Sequence, residues 1–274
     1  MKTFSAVVFA NYVLRALLAA SLFLPFARLI AASGITHFPA GDRLLFQPSG
    51  LYLLELLRLS GPELVALAEG SLWLLLGVSA ILLLARALTF QTLIQRRFDL
   101  VEIVPRALRL VPGYLLIAGL VLLAQVLALT IFLWAGAGVS RLFEARSERS
   151  ADLAFAALSL LGLFVALVLG VVGELARASL AHERQSGLSA LGRGLEHLAR
   201  APVRLLSRWA GLGAAGLVLV VAAAKLCELL DVSREAAWRA AAVFGVHQLV
   251  ILALVGLQTA WLVIALRAAR ERPL

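Results

Sequence analysis

Few side chains in this sequence could do chemistry, and most of them lie in apolar surroundings. Glu174 and Arg177 are one helical turn apart, a spacing at which a carboxylate and a guanidinium on one helix face can pair. That pair reads as an ion pair near a membrane interface, or as a contact for a lipid headgroup or substrate. Lys225 and Glu228 repeat the spacing, with a structural role expected. His247 and Gln248 are neighbours, Gln258 follows about three turns on, and Gln125 stands far from them in sequence. A proton relay would need these four to converge, whereas isolated polar groups in lipid more often bond between helices at well under about 2 kcal/mol each.

His37, His182 and His197 show neither an HExxH spacing nor a second nearby ligand, so they make no metal site. The single cysteine, Cys227, excludes an intrachain disulfide and a cysteine metal cluster. With no glycine-rich phosphate loop, nucleophile elbow or paired catalytic carboxylates, the sequence assigns no catalytic, cofactor or metal residue, and no enzyme is expected.

These residues must be positioned by helices in lipid. The chain has 274 residues, of which 62% are hydrophobic and 15% charged, and its mean hydropathy is +0.97. A soluble domain with a solvated surface does not carry such values. Apolar runs long enough to cross a bilayer, roughly 20 residues, are centred in 13–33, 64–92, 110–135, 153–180, 205–230 and 238–266. The expected fold is an all-α integral membrane protein of six transmembrane helices. Net charge is +9, yet the basic residues cluster at the ends of apolar runs, which excludes nucleic acid as the expected partner.

Arginine and lysine set the orientation. Sixteen of the 25, among them Lys2, Arg86, Arg106, Arg109, Arg177, Arg193 and Arg267, fall on one side, which is therefore expected to be cytoplasmic, with both termini. Arginine-dominated basicity points to a GC-rich bacterial genome and hence to the bacterial inner membrane. Arg15 and Arg28 interrupt the first apolar run, so it reads as a retained span, not a secretory signal. Segments 34–63, 136–152 and 231–237 are expected outside. Within the first, 51–59 reads as an interfacial helix, and Ser60 with Glu63 as a capping box for the second span.

Three span ends are alike: Leu84-Ala85-Arg86-Ala87, Leu175-Ala176-Arg177-Ala178 and Ala265-Leu266-Arg267-Ala268, spaced by about 90 residues. They divide the single membrane domain into two-helix units near 1–94, 95–182 and 183–274, each opened by a surface helix. Thr3–Tyr12 is the shortest version of that helix. In 98–110, Val101, Val104 and Leu108 form the expected apolar face. The segment Ser186–Arg208 is expected to be one amphipathic helix, with Leu188, Leu191, Leu195 and Leu198 entering the headgroup boundary and Arg193, Arg200 and Arg204 meeting anionic lipid or a partner. Small residues at Gly162, Ala166 and Gly170, and again at Gly256 and Ala260, predict close helix packing within the chain or against another subunit.

Residues 84–120 and 170–220 carry a family resemblance. Arg177-Ala178-Ser179, Gly192-Arg193-Gly194-Leu195 and Arg200-Ala201-Pro202-Val203-Arg204-Leu205-Leu206 resemble internal segments of broad six-span bacterial membrane-protein families. These include the membrane domain attached to some glycerophosphodiester phosphodiesterases. The resemblance implies a six-span membrane fold; the soluble phosphodiesterase domain is not in this sequence, so their hydrolase activity is not expected here. Three two-span units also suggest mitochondrial carriers, but the Pro-x-acid-x-x-base signature is missing after every odd span.

The expected function is a non-enzymatic subunit that scaffolds, anchors or regulates an inner-membrane assembly. Its expected partners are the bilayer, anionic headgroups and other membrane-protein subunits. A transporter or lipid-handling protein is the alternative, favoured by the parallel repeat and the intramembrane polar groups.

Overall fold

The computed structural model describes residues 2–32, 61–97, 99–144, 147–183, 185–230 and 237–271. Among these the chain is 96% helical, without strands. In chain order the helices are α1 (Lys2–Ala32), α2 (Gly61–Gln95), α3 (Leu100–Glu144), α4 (Glu148–Glu183), α5 (Gly187–Arg200), α6 (Pro202–Leu230) and α7 (Ala237–Arg270). All but α5 are long and apolar enough to cross a membrane. Helix is the form such runs must take in lipid, because it satisfies every backbone polar group within the segment. The protein is an all-α, multi-pass membrane protein.

Several boundaries differ from the sequence expectation. Thr3–Tyr12 is continuous with the first span in α1, not a separate surface helix. The 98–110 segment likewise runs straight into α3, a helix of 45 residues that carries Pro105 and Pro112 inside it. At 1.5 Å per residue that is about 67 Å, roughly twice the hydrocarbon thickness, so α3 projects beyond the core. Asp99 starts it, its carboxylate accepting from the Val101 amide at 3.1 Å. The expected apolar face is also corrected: Ile103, Ala107 and Leu110 are buried, whereas Val101 is 84% exposed. The expected loop 136–152 is helical to Glu144 and again from Glu148. The interfacial helix at 51–59, the Ser60–Glu63 capping box and most of 231–237 lie outside the described residues.

The described chain forms two compact units. One takes Met1–Ala85 and Val218–Gly256; inside it the Tyr12 hydroxyl donates to Gln248 Oε1 at 2.7 Å, tying α1 to α7. The other takes Arg86–Leu217 and Leu257–Leu274, and its centre is the antiparallel pair α3 and α4. Small residues on one helix face large ones on the other along this pair. A Cβ on Gly162 would stand 2.6 Å from Phe132 Cβ, one on Gly173 3.1 Å from Val121, and one on Gly113 2.6 Å from Leu180. The Gly162, Ala166, Gly170 stripe thus packs within the chain, against α3. The second stripe does not show the same packing, since a Cβ on Gly256 meets nothing within 4 Å, while Val255 and Thr259 beside it are buried.

Candidate functional site

The arginine-rich ends of α2, α3 and α4, all in the second unit, bring together the charged residues that the sequence kept apart. Glu174 and Arg177 pair as their spacing predicts, with Nη1 at 3.1 Å from Oε1. The same carboxylate oxygen also accepts from Arg86 of α2. Arg177 and Glu174 keep only 9% and 14% of their side chains exposed, Arg86 29%. Tyr114, wholly buried on α3, donates its hydroxyl to the Arg177 carbonyl at 3.1 Å, and its ring stands edge-on to Phe90 of α2 at 6.3 Å. Gln91 closes the α2–α4 seam through Nε2 to the Ala181 carbonyl at 3.4 Å.

Two guanidiniums share one carboxylate here, leaving a net positive charge in a largely desolvated place. Glu174 Oε2 and Arg177 Nε are buried without a hydrogen-bond partner. Such a cluster favours anions nearby and is costly to break, since removing one member of a buried pair strands the other at about 3–5 kcal/mol. Arg86 was absent from the sequence-derived site. Its one signal was the repeat: Arg86 and Arg177 hold the same place in the recurring motif, and both reach Glu174. Arg267, third in that series, is exposed.

The surface segment beside this cluster is two helices, which corrects the single helix expected over 186–208. Ser186 caps α5, its Oγ accepting from the Ser189 amide at 3.3 Å. Ala201 leaves the helical region at φ −140° and ψ 54°, as residues preceding proline tend to, and Pro202 opens α6. The buried face of α5 is also not the leucine face. Gly187, Ala190, Gly194, His197 and Leu198 are buried, whereas Leu188 and Leu195 are 65% and 55% exposed. The packed side is the one with the smallest residues: a Cβ on Gly194 would lie 2.7 Å from the Val172 carbonyl oxygen and 2.9 Å from the Ala176 nitrogen. Helix α5 therefore has three faces: one seated on α4, an apolar one left bare, and a polar one carrying Ser189, Arg193, Glu196 and Arg200.

Each arginine assigned to lipid or partner contact has a carboxylate within reach. Arg193 is 3.9 Å from Glu183, Arg200 pairs with Glu196 one turn back, and Arg204 grips both oxygens of Glu271 at 2.9 and 3.0 Å. His197 is 93% buried with Nε2 unpartnered. Burial, and then the Arg200 charge, hold its pKa below the ordinary histidine value, against the opposing pull of Glu196 and Glu183.

The intramembrane polar residues take separate partners. Gln125 donates to the Ala166 carbonyl at 2.8 Å, across α3 and α4. Gln248 Oε1 accepts a hydrogen bond from the Tyr12 hydroxyl, Gln258 is half-buried and His247 is exposed. Gln125 and Gln248 thus make the interhelical bonds expected of isolated polar groups in lipid. Lys225 and Glu228 pair at 2.8 Å as an exposed pair.

Comparison with protein-family models, with curated proteins and with solved structures finds no match to this chain.

Proposed function

We propose that this chain is a non-enzymatic subunit of a bacterial inner-membrane assembly, with both termini cytoplasmic, that scaffolds, anchors or regulates the proteins it binds. The observation carrying this reading is the surface of α6. Of its 29 residues, those in the second unit bury Leu205 and Gly216, which three helical turns place on one line. About 100° round the helix from that seam, Gly211 and Ala215 are exposed, and a Cβ on Gly211 meets nothing within 4 Å. Two small residues four positions apart offer lipid no advantage, yet they let another helix's backbone approach closely. The three-faced α5 adds a bare apolar strip beside its charged one, suited to lie where protein, headgroups and water meet.

The test is a pair of substitutions on that face. Gly211→Leu with Ala215→Leu should strip a reproducible, stoichiometric partner from the purified protein while leaving its helicity and thermal stability unchanged. Retention of the partner by this variant refutes α6 as the docking face.

A further inference from the structure

The second unit holds a cleft of about 380 Å³ where the start of α3, the end of α4 and the start of α5 meet the end of α2. Among the described residues its lining includes Arg106, Arg109, Gln91, Ser186, Gly187 and Leu180, and no carboxylate. Arg106 lies 3.5 Å from Glu102, itself on the exposed side of α3. Among the described residues, no carboxylate comes within 4.0 Å of Arg109. Nearby Glu183 is committed elsewhere, accepting from Gln185 at 2.5 Å and facing Arg193. The described lining thus carries two guanidiniums, of which Arg106 is partly offset by Glu102 and Arg109 is not.

Neutral donors point the same way. Gln91 is only 8% exposed, and its amide nitrogen gives one hydrogen to Ala181. Its second amide hydrogen has no protein partner among the described residues. The first turn of α5 begins at the cleft wall, and its first amides to find acceptors are those of Ser189 and Ala190, which donate to Ser186 Oγ and to the Ser186 carbonyl. The Gly187 and Leu188 amides precede these, where a helix has free donors and the positive end of its dipole. Gly187 is held close to α3, because a Cβ there would stand 3.0 Å from Leu116 and 3.3 Å from the Gly113 carbonyl oxygen. Two guanidiniums, a buried amide and a helix start thus converge on one cavity whose lining, among the described residues, holds no carboxylate.

We infer that this cleft binds a phosphate-bearing anion through Arg106, Arg109, Gln91 and the N-terminus of α5. A guanidinium matches phosphate oxygens in a fork, and two of them supply the charge-assisted bonds that make such binding specific. The volume exceeds what a bare phosphate fills and lies in the range of small-ligand sites. The phosphate belongs either to a lipid headgroup or to a soluble compound. The site stands whether or not the chain is a subunit of an assembly.

Full-length protein in zwitterionic nanodiscs tests this with two probes, inorganic phosphate by titration calorimetry and phosphatidylglycerol by retention in native mass spectrometry. Arg106→Gln and Arg109→Gln should each weaken the bound probe about tenfold, and Arg109→Lys less, because lysine keeps the charge and loses the fork. Arg267→Gln, an exposed arginine outside the cleft, should leave binding intact. Binding of phosphate assigns a soluble source and binding of phosphatidylglycerol alone a headgroup; either, with those losses, supports the site. Failure of both probes overturns it, as does equal weakening by Arg267→Gln, which would mean bulk charge and not a cleft. Both arginines are exposed, so their variants are expected to fold, and unchanged helicity checks this.

Discussion

Two glycines on one short helix, Gly192 and Gly194, should respond oppositely to the same substitution. In the interior of an exposed helix, glycine to alanine stabilises by about 0.5–1 kcal/mol, because glycine loses more backbone freedom on folding. Gly192 of α5 has nothing within 4 Å of a Cβ, so Gly192→Ala should show that gain alone. Gly194 is two residues away in the same helix, but its Cβ would stand 2.7 Å from the Val172 oxygen and 2.9 Å from the Ala176 nitrogen. Both are backbone atoms of α4, so neither can swing aside. Restoring an ordinary contact of about 3.4 Å means that α5 lifts by more than half an ångström along its seam. Overpacking of this kind costs about 1–3 kcal/mol, which outweighs the propensity gain. The net expectation for Gly194→Ala is a loss of about 1–2 kcal/mol. Since α5 is a short surface helix that can open by itself, hydrogen exchange of the amides in 187–200 is the direct assay. Exchange should quicken about 5- to 30-fold in Gly194→Ala and slow about 2- to 5-fold in Gly192→Ala. Equal shifts in the two variants, of either sign, refute the close packing of α5 on α4.

Four further outcomes follow from the same contacts. Glu174→Gln should cost about 3–5 kcal/mol because it strands Arg86 and Arg177 without an anion, and Arg86→Gln should cost much less because it leaves a matched pair; thermal unfolding in one detergent compares them. His197 has its pKa lowered in the folded protein, so above pH about 6.5 both states are neutral and stability is flat. As pH falls below that value the unfolded chain binds the proton first, stability drops, and His197→Gln should remove this acid sensitivity from the exchange of α5. Gly162→Leu should disrupt the α3–α4 pair far more than Leu163→Ala, as Gly162 faces Phe132 and Leu163 is 47% exposed; equal melting temperatures would count against this seam. With Cys227 removed, single cysteines at Ser147 but not Ser189 should react with an external impermeant reagent, and the reverse pattern would invert the topology.

The six spans were legible because lipid imposes a composition on about 20 consecutive residues, a signal that survives without tertiary knowledge. The Glu174–Arg177 pair was legible because it is local, one turn on one helix. Arg86 was not, because its partner lies 88 residues away and only the packing of α2 on α4 brings them together. The buried face of α5 differs from the leucine face because close seating on a neighbouring backbone selects for small residues, and Gly187, Ala190 and Gly194 carry little hydrophobic signal. The start of α3 is apolar on more than one side, Ile103 and Leu110 as well as Val101, so periodicity alone does not select the side that packs. The cleft at Arg106 and Arg109 was hidden too, as its lining comes from four helices and has no motif of its own. Pro112 and Pro202 look equivalent in sequence, but Pro202 starts a helix and Pro112 stays within one.

The central claim, that this chain works as a subunit, is tested most directly by weighing the intact particle. Extraction from the native membrane in mild detergent, followed by native mass spectrometry, should give the 29.2 kDa chain in a reproducible stoichiometric complex with another membrane protein. A monodisperse lone chain that retains a lipid or solute would contradict that claim and move the protein to transport or lipid handling.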